Sequence, residues 1–154
     1  MGRVEKSGSL FYHRRCMAVL IQKKIIDETL ANEPTEGKKL MEPLKSAASD
    51  GKAPVNILET KNVNSDAEVH KKTNDLFYCL EGEVTFICGG EMIDVWVKEK
   101  DGIPNENELG GKDIKGGTEY LLKSGDWLWI LAGEPHKQIC QGFARLIIIK
   151  IPQI

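Results

Sequence analysis

From Pro54 onward, the sequence consists of short apolar segments with a two-residue period, separated by turns rich in glycine. Alternation of this kind indicates β-strands, because successive side chains of a strand point to opposite faces. No long helical pattern lies between these segments. We therefore predict an all-β fold, an antiparallel sandwich or barrel. The predicted strands are 55–63, 67–72, 76–80, 84–88, 92–97, 118–122, 127–131, 137–140 and 144–151, with a turn at Glu81-Gly82.

A change in charge near residue 53 separates an N-terminal arm from this strand-rich region. Residues 1–52 contain ten Lys and Arg against seven Asp and Glu, whereas residues 53–154 contain eleven against sixteen. Apolar residues at roughly helical spacing predict a helix over 19–31. Prolines, glycines and serines predict that 32–52 is irregular, with at most one or two helical turns. We expect the arm, 1–52, to pack on the barrel domain, 53–154, or on a partner subunit.

One segment interrupts the strand pattern. Residues 97–117 contain four lysines, five acidic residues and several glycines, and they show no apolar periodicity. Loops of this length inside a compact domain are uncommon, and they are usually functional or disordered. The sequence therefore predicts a long loop over 97–117, either a solvated excursion or a lid over a pocket.

Composition excludes several classes of protein. The net charge of −2 and an aromatic content of 6% give no basic or stacking surface for nucleic acid. No apolar run approaches the roughly 20 residues that span a bilayer. The six apolar residues at 16–21 are too few for a secretory leader. The four cysteines form no C-x-x-C pair, which favours small buried residues in a reducing compartment. We expect a cytoplasmic protein without nucleic-acid or membrane partners.

The candidate chemistry lies in the strand-rich region, where two histidines stand at strand edges beside turns. Alternation along 67–72 places Glu68, His70 and Lys72 on one face of the strand. An acid and an imidazole two residues apart on one face suit a hard or borderline metal ion. Asp75 opens the next strand, on a face that it shares with Phe77.

These residues fall into two motifs of known spacing. The run Glu68-x-His70-x4-Asp75-x6-Gly82 resembles the first motif of the cupin superfamily, G-x5-H-x-H-x3–4-E-x6-G. The run Gly125-x5-Leu131-x-Gly133-x2-His136-x3-Cys140 has the spacing of the second motif, G-x5-P-x-G-x2-H-x3-N. The resemblance covers roughly residues 53–152. It implies a small antiparallel β-barrel, the double-stranded β-helix or jelly roll, here with a short helical N-terminal arm.

The motifs also depart from the family pattern. The family's first His is Glu68 here, its Glu is Asp75, its Pro is Leu131 and its Asn is Cys140. The resemblance implies that His70 and His136 are metal ligands and that Asp75 is a third ligand. Glu68 is either a fourth ligand or a nearby acid that could serve as a general base in catalysis.

Two imidazoles and one carboxylate with open positions suit one divalent ion, such as Fe, Mn, Ni or Zn. Carboxylates that point into a barrel are costly to bury as charges without a partner, which is a further argument for an ion. Lys72 and Phe77 are the candidate substrate-binding residues.

The resemblance favours a metal-dependent cupin that acts on a small molecule. A dioxygenase-type reaction would need Fe(II), and a lyase or isomerase reaction would use the ion as a Lewis acid. Two alternatives stay open: a non-catalytic cupin that binds a sugar or a carboxylate, and a cupin that has lost its metal. The resemblance also implies a homodimer.

Overall fold

The computed structural model of the protein describes residues 18–154. The first 17 residues of the expected arm, with Cys16, lie outside the described residues. Within 18–154 the helices are α1 (Lys23–Leu30) and α2 (Leu44–Ser49). The strands are β1 (Gly37–Leu40), β2 (Val55–Asn64), β3 (Ala67–His70), β4 (Thr73–Cys88), β5 (Glu91–Ile93), β6 (Trp96–Lys100), β7 (Ile103–Gly111), β8 (Asp113–Lys115), β9 (Thr118–Lys123), β10 (Trp127–Ile130) and β11 (His136–Pro152).

The strands form a curled antiparallel sheet built around β11, which pairs with β2, β3 and β4. The sheet continues from β2 to β1 and from β3 through β7 to β6, while β4 also pairs with β9 and β10. β5 and β8 form a separate two-stranded sheet. The predicted all-β, jelly-roll barrel is thereby confirmed. Its core consists mainly of inward side chains of β4 and β11, among them Phe77, Cys79, Val84, Phe86, Leu146 and Ile148.

β4 is one continuous strand, so the turn predicted at Glu81-Gly82 is wrong. Gly82 has a φ of +75°, and a side chain there would collide with the carbonyl oxygen of Phe143. The register of β4 against β11 shifts at this point, between Ile139 and Ala144. The glycine therefore marks a bulge, where β4 bends without leaving the sheet.

The long loop predicted over 97–117 is also wrong. β6 and β7 form a hairpin in the main sheet, and β8 follows them. β6 is an outer strand with half-buried or exposed residues throughout, so charged side chains replace the apolar alternation on which strand prediction depends. A side chain at Gly110 would collide with the ring of Trp96, so the glycine allows this ring to lie against β7.

The described part of the arm packs on the barrel. The helix predicted over 19–31 is present as α1, but 32–52 is more regular than expected, because β1 pairs with β2 and α2 follows it. The arm is held by Arg145 of β11, which is 1% exposed. Its guanidinium donates to the carbonyl oxygens of Leu30 and Asn32, and its Nε lies 2.6 Å from Oε2 of the fully buried Glu59.

Two further expectations concern the described residues. Cys79, Cys88 and Cys140 are buried free thiols, as predicted. Burial raises the pKa of Cys79 to about 11 and that of Cys88 to about 12, so these thiols are inert at neutral pH. Among residues 18–154, no helix is long and apolar enough to cross a membrane.

Candidate metal centre

Strand pairing brings the predicted site residues together inside the barrel. His136, the first residue of β11, lies opposite Glu68 of β3. Asp75, near the start of β4, lies opposite Lys150 near the end of β11. The turn before β11 is tied to β3, because the backbone N–H of Gly133 donates to the carbonyl oxygen of His70 at 2.8 Å. The two motifs thus meet at one place.

Three of the predicted ligands form a compact group. Ligand atoms of Glu68, His70 and His136 all lie within 4.8 Å of one another. The centroids of the two imidazole rings are 5.3 Å apart. Oδ2 of Asp75 lies 3.4 Å from Nε2 of His70 and 3.6 Å from Nε2 of His136. Asp75 therefore lies beside both imidazole rings of this three-residue group.

The His136 ring is held in a form that suits metal binding. Its Nδ1 lies 3.1 Å from the carbonyl oxygen of Glu134, which can only accept, so Nδ1 carries the proton of this contact. Its Nε2 is buried and has no hydrogen-bond partner among residues 18–154. Nε2 instead faces Oε1 of Glu68 at 3.6 Å. A buried nitrogen without a partner is costly, so this geometry fits a divalent ion at that point.

Lys150 of β11 also reaches the site, where its ammonium group contacts Asp75 and His70. Its Nζ lies 2.7 Å from Oδ1 and 2.8 Å from Oδ2 of Asp75, and 3.0 Å from Nε2 of His70. An ammonium group can only donate, so Nε2 of His70 accepts from it. On the opposite edge of this ring, Nδ1 contacts the carboxylate of Glu108 from β7. The lysine therefore contacts two of the four predicted ligands.

Glu68 is surrounded by cations. Its Oε2 lies 2.7 Å from Nζ of Lys98, and its Oε1 lies 3.3 Å from Nζ of Lys38 in the arm. Burial alone would raise the pKa of Glu68, but the nearby His136 ring and the two lysines hold it far below its usual range. Glu68 is therefore a carboxylate at any physiological pH, as a metal ligand must be.

The other two titrating groups influence each other. Burial alone would raise the pKa of Asp75, but His70 and Lys150 hold it below its usual value. Burial alone would lower the pKa of His70, whereas Asp75 and Glu108 outweigh burial and Lys150 and raise it. A proton and the Lys150 ammonium thus compete for the lone pair on Nε2 of His70, and a metal ion bound there would compete with both.

The predicted substrate-binding residues lie in different places. β3 ends at His70, so Lys72 belongs to an exposed turn and does not continue the face of Glu68 and His70. Phe77 is 1% exposed and packs on Phe86 at a ring-centroid distance of 4.7 Å. It also lines a cavity of about 280 Å³ beside the site. The cavity is lined by Lys38, Lys39, Leu40, Leu58, Glu68, His70, Phe77, Gln138, Ile148 and Lys150.

Four site residues were not found from the sequence: Lys38, Lys98, Glu108 and Lys150. Lys98 and Glu108 lie in the segment predicted as a loop, and Lys38 lies in the arm. Of these four residues, only Lys150 could have been identified from a pattern in the sequence. It follows the buried Ile148 by two residues in an apolar run, and alternation places both on the inward face.

No protein-family model and no curated protein matches the chain. Solved structures similar to it include the Drosophila melanogaster CENP-C cupin domain (14% identity, TM-score 0.44, 65% of this chain and 58% of that chain). A second is Fe(II)-HppE with an alternative substrate (17% identity, TM-score 0.43, 63% of this chain and 41% of that chain). A third is the Clostridium difficile EutQ protein (16% identity, TM-score 0.44, 87% of this chain and 81% of that chain). The chain thus spans less than two thirds of the length of the first two of these structures. Its own strand topology and its two motifs give it a cupin-type fold.

Proposed function

We propose that this chain is a metal-dependent cupin in which Glu68, His70 and His136 hold one divalent ion beside a small-molecule cavity. The observation that carries the proposal is the buried Nε2 of His136, which has no hydrogen-bond partner in the described part of the chain, faces Glu68 and lies in one group with His70. Two imidazoles and one carboxylate leave open positions for a substrate.

The surrounding residues support this role by orienting the ligands. Glu108 holds the His70 ring through Nδ1, and the carbonyl oxygen of Glu134 does the same for His136. Such contacts fix the ring orientation and raise the basicity of the ligating nitrogen. Asp75 lies close enough to both rings to serve as a further oxygen ligand or as a base. When bound, the ion would supply Lewis-acid chemistry or, as Fe(II), oxygenase chemistry.

A second candidate function is favoured by Lys150. Its ammonium already contacts Asp75 and His70, as a bound cation would. In a cupin without metal, this lysine would be a permanent part of the cavity wall. The chain would then be a binding protein for a small carboxylate or sugar.

Metal analysis of the purified protein tests the proposal. Elemental mass spectrometry should find about one equivalent of Fe, Mn, Ni or Zn per chain. The double variant His70→Ala/His136→Ala should have lost it, while circular dichroism shows the same fold. Protein that contains no metal after reconstitution with each ion would overturn the proposal and favour the binding protein.

A homodimer stays a proposal as well. The outer face of β10 carries Trp127 and Trp129, which are 59% and 52% exposed and suit a contact with a second copy. Light scattering of the purified protein would give twice the mass of the chain, and Trp127→Glu/Trp129→Glu would give the single-chain mass.

A further inference from the structure

The charges of the site are balanced by lysines. The Glu68 carboxylate contacts Lys38 and Lys98, and Asp75 contacts Lys150. Glu108 is the remaining acid at the site, where it contacts His70. Three carboxylates are therefore matched by three ammonium groups, and the charges of this region compensate one another.

A divalent ion would change this balance. The ion would add two positive charges to a site that already contains three lysine ammonium groups. If Glu68 and Asp75 compensate the ion, then Lys38, Lys98 and Lys150 lose these carboxylate partners. Ammonium groups without partners at the wall of a cavity create a strongly positive potential. The loaded site would therefore attract an anion.

Lys150 is the lysine most affected. Nε2 of His70 has one lone pair, so it cannot accept a hydrogen bond from Lys150 and bind a metal ion at the same time. Asp75 is 1% exposed and belongs to the barrel wall, whereas the Lys150 side chain is 42% exposed. Lys150 also lines both the 280 Å³ cavity and a second cavity of about 270 Å³ beside Thr73 and Glu108. Lys150 therefore has room to move, and Asp75 does not.

We propose that Lys150 leaves Asp75 and His70 when the metal binds, and that it then pairs with a carboxylate or phosphate group of the cavity's ligand. The ligand of this site is accordingly a small oxyanion, and its binding is coupled to that of the metal. This inference rests on the proposed metal site, and it adds the class of ligand and the residue that selects it.

Binding of Mn²⁺ to the full chain tests the coupling, because free aqueous Mn²⁺ is measured directly by electron paramagnetic resonance. The titration is done without added anion, with succinate and with methyl phosphate. At least one of the two anions should lower the apparent Kd for Mn²⁺ of the wild type by about tenfold, a typical coupling between two ligands. Which anion is effective distinguishes a carboxylate from a phosphate ligand.

Variants of Lys150 give the second readout. Lys150→Met should bind Mn²⁺ about tenfold more tightly than the wild type in the absence of anion, because the competing ammonium is gone. Its affinity should no longer respond to either anion. Lys150→Gln keeps a neutral donor beside Asp75 and should show the same two changes, which guards against misfolding of the Met variant. Lys45→Met, which alters an exposed lysine of α2, should behave as the wild type.

The outcomes separate this inference from the proposed function. If Mn²⁺ binds and is lost in His70→Ala/His136→Ala, but neither anion nor Lys150 variant alters its Kd, the inference is wrong and the metal site stands. If neither the wild type nor the Lys150 variants bind Mn²⁺ with or without anion, the inference is wrong. The proposed function fails with it when reconstitution with Fe, Ni and Zn also leaves the chain without metal.

Discussion

Lys150 and Asp75 lie directly opposite each other on β11 and β4, and Nζ of the lysine is 2.7 Å from Oδ1 of the aspartate. Asp75 stands where the cupin motif has its acidic ligand. A barrel that resembles a metal-binding family thus carries its own cation at the ligand position. At the proposed metal site, an ion would therefore compete with this side chain.

Glu108 is expected to position His70. Its carboxylate contacts Nδ1 of the ring, and loss of such a contact typically costs 10–100-fold in metal affinity. Glu108→Gln should therefore weaken Mn²⁺ binding by at least about tenfold. Glu106→Gln, an exposed neighbour on β7, is the matched control and should leave the Kd unchanged. Equal affinities in both variants would contradict a positioning role for Glu108.

Arg145 should be the main link between the arm and the barrel. Its replacement by Met removes the nearest cation from the buried Glu59 and leaves only the more distant Lys39, and the breaking of a buried ion pair costs about 3–5 kcal/mol. Urea denaturation should show this loss in Arg145→Met. The double variant Arg145→Met/Glu59→Met should recover much of the lost free energy of unfolding, because it contains no buried carboxylate that lacks its arginine partner. Lys23→Ala, which removes an exposed pair with Asp27, should have little effect.

The buried pair of Arg145 and Glu59 should also make the stability of the fold sensitive to acid. Burial alone would raise the pKa of Glu59, but the Thr35 N–H and Arg145 hold it below its ordinary value of 4.5. A carboxyl whose pKa is lower in the folded state stabilises the fold above the ordinary value, and this contribution is lost as the pH falls through the folded pKa. The free energy of unfolding should therefore decline from about pH 5 downward. The decline should be shallower in Glu59→Gln, and equal slopes would rule out this origin.

The bulge at Gly82 gives a test of the fold itself. Alanine there would combine a positive φ with a collision against the backbone of Phe143. We expect Gly82→Ala to lower the free energy of unfolding by about 1–3 kcal/mol from the backbone conformation alone, and by more because of the collision. Gly142→Ala is the matched control on the facing strand, since nothing lies within 4 Å of the added carbon. Thermal unfolding of both variants compares them, and similar melting temperatures would contradict the requirement for glycine.

Alternation in the sequence located most strands of the barrel, including 55–63 in β2 and 118–122 in β9. It is clearest in 76–80 and 84–88, which lie in β4, where buried and more open residues alternate on both sides of Gly82. β6 was missed because it lies at the edge of the sheet, where neither face is buried and charged residues are tolerated. β4 was divided at Gly82, because a bulge and a turn use the same residue type.

The sequence predicted some residues of the site and missed others. His70 and His136 were predicted because the spacing of the two motifs can be read from the sequence alone. Glu108 and Lys98 could not be found, because they reach the site through the pairing of β7 with β3 and β6, and that pairing depends on the whole sheet. The role of Lys150 depends on register, which places it opposite Asp75 and not one residue away.

The central claim, a metal site formed by Glu68, His70 and His136, is tested most directly by anomalous X-ray scattering. Crystals grown with Mn²⁺ would be measured on both sides of the manganese absorption edge. We predict one anomalous peak within bonding distance of Glu68 and of Nε2 of both histidines, with the Lys150 ammonium moved away from His70. Crystals without a peak at this point, with Lys150 still on Asp75 and His70, would contradict the account.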